Sequence, residues 1–66
     1  MFRKIKDARR AKGLTQKELA ERSGVSRVTI NALETGKLTN TKTDTLRSIA
    51  KALGLTLDEI FFGEGD

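Results

Sequence analysis

The sequence predicts an all-α fold of five short helices, and three observations predict it. Apolar residues recur at helical spacing, cap residues precede most of the helical stretches, and a glycine follows each one, at 13, 24, 36, 54 and 63. The agreement of caps, stops and periodicity is itself evidence for the fold class. Helices are expected over about residues 2–12, 16–23, 27–35, 44–53 and 57–62, with a short acidic tail at 64–66 and one domain spanning 1–66. With 66 residues, such a chain buries only about 60% of its unfolded surface, so modest stability is expected, and dimerisation would add to it.

The first helix carries Phe2, Ile5 and Ala8 along one side and stops at Gly13. The second opens with a capping box, Thr15 with Glu18, flanked by Leu14 and Leu19 as a hydrophobic staple. Gly24 ends it, because glycine enters the left-handed conformation without a Cβ clash. The same grammar then repeats, with Val25 as staple, Ser26 as cap, and Thr29 and Ile30 in the places of Glu18 and Leu19. So short a connection forces the two helices to cross steeply, and Ala20 is small where they must approach. Ile30 and Leu33 form the inner face of the third helix, which leaves Arg27, Val28, Asn31 and Thr35 pointing away.

Residues 37–45, KLTNTKTDT, are polar and aperiodic and read as a loop that caps the fourth helix at Thr43. In that helix Leu46, Ile49, Ala50 and Leu53 follow i, i+3, i+4, i+7 and belong to the core. A third cap appears before the fifth helix, with Thr56 and Glu59 as box and Leu55 and Ile60 as staple, and Gly63 as its stop. Ile60 and one phenylalanine should close the core, leaving Leu57 and the other phenylalanine partly exposed.

Gln16, Ala20, Gly24, Val25, Ile30 and Leu33 at these spacings, followed by Glu34, Gly36 and Lys37, resemble the lambda-repressor-like DNA-binding domains of the xenobiotic-response-element family, over about residues 5–63. The resemblance implies five helices, a helix-turn-helix at the second and third, and double-stranded DNA in the major groove. It also implies an ion pair between Arg9 and Glu34, whose alternative is two independent surface charges. It implies a two-fold dimer contact through Leu57, Phe61 and Phe62, although both phenylalanines also suit a small core. The loop would lie on the sugar-phosphate backbone, or be simply a soluble connection. Many relatives carry proline before helix four and this chain has none, so the loop is expected to be more mobile when free.

Side-chain chemistry then says how DNA would be read. Arg27 can donate two hydrogen bonds to guanine, and Asn31 can satisfy adenine N6 and N7 together. Val28 and Ala32 offer apolar contact, for example to a thymine methyl. The competing reading of Arg27 is a solvent-facing side chain that meets only phosphate. Phosphate contacts are expected from Thr15, Gln16, Ser26, Thr35, Lys37, Thr39, Asn40 and Lys42, Gln16 being aided by the helix N-terminus. In the family this glutamine also buttresses the first side chain of the recognition helix, here Arg27.

Charge is uneven within the net +4. Residues 1–12 hold six basic side chains and one acid, whereas 54–66 hold four acids and no base. A basic body with an acidic end suits a polyanion on one face, though a solvated surface explains the counts equally. With no cysteine and no histidine, no metal or other cofactor is expected. No apolar run approaches the roughly 20 residues of a membrane span, and the chain is expected in the cytoplasm, with no small-molecule ligand. The first helix is too narrow on its apolar side for a membrane surface. An enzyme is disfavoured, because no carboxylate pair is placed to hold a perturbed pKa. Three phenylalanines leave little for stacking single-stranded RNA once the core is filled. The expectation is a sequence-specific transcriptional regulator, a homodimer on a near-palindrome. The alternative is a protein-interaction module, such as an antitoxin, whose DNA binding is secondary.

Overall fold

Helix α1 spans Arg3–Ala11, α2 Gln16–Ser23, α3 Arg27–Thr35, α4 Thr43–Leu53 and α5 Leu57–Phe62. The computed structural model describes residues 2–39 and 41–62, with Phe62 described through its backbone alone, and it contains no strand among them. Asn40, the Phe62 side chain, the stop at Gly63 and the tail 64–66 lie outside the described residues.

The helix starts follow from local chemistry. Thr15 and Glu18 form the complete reciprocal box, the Thr15 hydroxyl accepting from the Glu18 N–H and the Glu18 carboxylate from the Thr15 N–H. Thr56 and Glu59 repeat it at α5. At α3 the Ser26 hydroxyl accepts from the Thr29 N–H at 3.1 Å. Two ends differ from expectation. α1 is one residue shorter at each end: Phe2 flanks its start with no side-chain cap and is buried, and Lys12 is the cap at its other end. α4 is one residue longer, because Lys42 takes the extended conformation and its carbonyl accepts from Leu46. Thr43 is therefore the first helical residue rather than the cap, and backbone bonding alone starts the helix.

The core consists of Phe2, Ile5, Leu14, Leu19, Ile30, Leu33, Leu46, Ile49, Ala50, Leu53 and Ile60. Burying each of the larger side chains stabilises the fold by about 1.5–3 kcal/mol. α4 supplies four of these residues and packs against α1, α2 and α5, while α3 rests on α1 and α2. Phe2 meets Phe61 edge to face, ring centroids 6.1 Å apart, which ties the start of α1 to α5. The outer face of α3, with Arg27, Val28, Asn31 and Thr35, is left uncovered.

Candidate nucleic-acid interface

The turn between α2 and α3 is three residues long. Gly24 has φ +74° and donates to the Ala20 carbonyl at 2.9 Å, which closes α2 in the left-handed conformation. The Ser23 hydroxyl then accepts from the Val25 N–H, and Ser26 opens α3. Ile30 and Leu33 turn inward and are fully buried. Arg27, Val28, Asn31 and Thr35 are exposed on the opposite face, and Ala32 is half-buried. Val28 is 78% exposed, the most exposed large apolar side chain among the described residues. An apolar group held on a helix that way has no partner within its own fold.

Besides the buried Ile30 and Leu33, a polar network holds α3 in place. Arg9 of α1 forks onto Glu34, its Nε donating to Oε2 at 2.8 Å and its Nη2 to Oε1 at 3.1 Å. Its third donor, Nη1, reaches the Leu14 carbonyl at 2.7 Å. This is a pair nearly withdrawn from solvent, with side chains 12% and 2% exposed, rather than two surface charges. Gln16 of α2 joins the pair, its Nε2 donating to Glu34 Oε1 at 3.0 Å and to Asn31 Oδ1 at 3.1 Å. The glutamine thus supports Asn31, one turn further along α3, rather than Arg27, because its amide is drawn toward the carboxylate. Every buried side-chain polar atom among the described residues has a partner.

The structure narrows how several expected phosphate ligands could act. Both protons of the Gln16 amide are used inside the protein, so its backbone N–H, at the first position of α2, is the donor left for an anion. Thr35 donates its hydroxyl to the Asn31 carbonyl of its own helix at 2.9 Å, and Ser26 shares its hydroxyl with Thr29 at 2.9 Å. Thr15 accepts through its oxygen and keeps a proton. Lys37, Thr39 and Lys42 are exposed on the loop after α3. At the α2 start, the Thr15 backbone N–H, then its hydroxyl, hold the Glu18 carboxyl below its ordinary 4.5. Glu59 is lowered in the same way by Thr56.

Sequence reasoning did not find the bonds from Gln16 to Glu34 and Asn31. One signal was available: Glu34 sits beside Leu33 and four residues after Ile30, on the edge of the apolar stripe, where a carboxylate needs several donors. No helix among the described residues is long and apolar enough to cross a membrane.

The sequence pattern of the helix-turn-helix family matches residues 5–60. The chain is 41% identical to an uncharacterized HTH-type transcriptional regulator of Methanocaldococcus jannaschii, over all of this chain and 98% of that protein. It is 46% identical to an uncharacterized HTH-type transcriptional regulator of Methanothermobacter thermautotrophicus, over 94% of this chain and 90% of the relative. The HTH-type transcriptional activator BcrR of Enterococcus faecalis is 39% identical over 92% of this chain, which covers 29% of that protein. No solved structure matches the chain with significance.

Proposed function

The chain belongs to the helix-turn-helix family, of the lambda-repressor-like, xenobiotic-response-element type, and we propose that this DNA-binding transcriptional regulator reads its operator with α3 as a homodimer in the cytoplasm. The observation that carries the reading is the outer face of α3. Arg27, Val28 and Asn31 stand exposed on a helix fixed from behind by the buried Arg9–Glu34 pair. Arg27 at the start of α3 donates to guanine O6 and N7, and Val28 and Ala32 meet thymine methyls. The backbone N–H of Gln16, the Thr15 hydroxyl and the loop residues Lys37, Thr39, Asn40 and Lys42 hold phosphates. Residues 1–66 act as one domain, whose role is binding rather than catalysis.

Selection of bound sites from a random double-stranded pool at near-physiological salt tests this. A two-fold motif with guanine in each half-site, half-sites centred about 10 base pairs apart, is the expected result. Arg27→Ala should abolish preference among sites and leave nonspecific, salt-dependent binding largely intact. If that variant still selects the wild-type motif, Arg27 is not the reading residue. An unselective pool, with a partner protein copurifying, would favour an interaction module instead.

A further inference from the structure

Val28, at the second position of α3, is 78% exposed, and its side chain carries neither a hydrogen-bond donor nor an acceptor. Ala32 and Thr35 follow it at i+4 and i+7, so the three lie in one row along the outer side of the helix. Thr35 donates its hydroxyl proton to the Asn31 carbonyl of its own helix at 2.9 Å, so no side chain of the row has a free proton to offer a base. The polar groups of this face sit beside the row, on Arg27 and Asn31. An apolar side chain presented to a base edge gains by covering an apolar group. In the major groove the base edges offer one alkyl group, the C5-methyl of thymine.

We propose that Val28 makes this regulator a reader of the pyrimidine C5-methyl group itself, so that 5-methylcytosine in the operator is bound more tightly than cytosine at the same position. The inference rests on the reading that α3 lies in the major groove. Thymine and 5-methylcytosine carry the same methyl at the same ring position and differ beside it, where thymine has the O4 acceptor and cytosine the N4 donor. Valine can hydrogen-bond to neither. It therefore registers the methyl and is blind to the group next to it, and whatever Arg27 and Asn31 read on the same pair is a separate contribution. Covering one methyl should raise affinity about fourfold, whether the methyl turns uracil into thymine or cytosine into 5-methylcytosine. A cytosine-methylating enzyme acting on the operator would then strengthen binding with no change in the protein.

The test begins with site selection from a random duplex pool by the wild type, Val28→Ala and Arg27→Ala, with thermal melts to establish that each variant folds. The base pair that Val28 reads is the one at which Val28→Ala loses its preference, and it should be T·A. Duplexes are then made with thymine, uracil, 5-methylcytosine or cytosine at that pyrimidine, so that each methyl is compared with its purine partner held constant. The wild type should bind thymine over uracil and 5-methylcytosine over cytosine, each by about fourfold, and Val28→Ala should reduce both ratios below about twofold. 5-Methylcytosine bound no better than cytosine overturns the proposal, as does either ratio surviving Val28→Ala. It also falls if Arg27→Ala alters the motif while Val28→Ala leaves it unchanged or relaxes a G·C pair, a result that keeps α3 in the groove. A pool with no motif, or a motif that neither variant changes, would instead overturn the placement of α3 in the groove.

Discussion

Glu34 is the one Asp, Glu, Lys or Arg buried among the described side chains, and several hydrogen-bond donors surround it. Arg9 supplies two of them and Gln16 a third, while a further Arg9 N–H donates to the Leu14 carbonyl. Removing one member of such a pair leaves a buried charge uncompensated, at a cost of about 3–5 kcal/mol. Arg9→Ala is therefore expected to lower the melting temperature by more than about 10 °C, since a domain of this size loses about 4–8 °C per kcal/mol. A thermal melt checks it, and a shift of only a degree or two would mean that water reaches Glu34. The Asp44–Arg47 pair gives the contrast: at 3.4 Å, with side chains 91% and 67% exposed, it should contribute well under about 1 kcal/mol. Residue identity alone did not separate these two pairs. Arg9 and Glu34 are 25 positions apart, and only the packing of α3 on α1 decides that theirs is shielded from water.

Helix starts are the part of this fold most fully written in the sequence, because a cap is a local pattern of residues three apart. Thr15 with Glu18 and Thr56 with Glu59 could be paired by eye, and the structure closes both boxes. The start of α4 was missed by one residue because no side chain caps it and the backbone alone sets the boundary. The network through Glu34, Gln16 and Asn31 was illegible for a different reason: it joins α2 to α3 by tertiary distance, so no spacing encodes it. The capping boxes also carry a pH dependence. Glu18 and Glu59 are both lowered from 4.5, first by a backbone N–H donated to the carboxylate, so folding favours their charged forms. Stability from this source is complete above 4.5 and is lost as pH falls through the lower folded-state values. Melting temperature should thus fall on acidification below about pH 4.5. A Glu18→Gln, Glu59→Gln double variant, which keeps the reach of the box but does not titrate, should fall less steeply. Melts across that range check this, and an equally steep fall in the double variant would place the acid sensitivity in other carboxylates.

At the scale of the whole molecule, the proposed function uses two faces, the exposed side of α3 and the end where α1 meets α5. Its Cα positions extend 28 × 22 × 19 Å, and half-sites one helical turn apart are separated by about 34 Å, so neighbouring copies on DNA would approach contact. At the α5 end, Leu57 is half-buried against the core and Phe61 is 45% exposed, with its ring against Phe2. These two residues are our proposed two-fold contact, together with Phe62, and they differ in how cleanly they can test it. Leu57→Asp would damage the core as well as any interface, whereas Phe61→Glu places its charge on the more exposed side chain. If each subunit neutralises about five phosphates, a dimer should give a slope of log K against log salt near −9. Loss of the contact leaves one subunit per half-site, with a slope of about −4.5. Phe61→Glu is therefore expected to halve both the mass in solution and the salt slope while retaining a cooperative melt. A wild-type slope as shallow as about −2 would sink the phosphate estimate itself. An unchanged mass in Phe61→Glu, with the wild type dimeric, would move the interface away from α5.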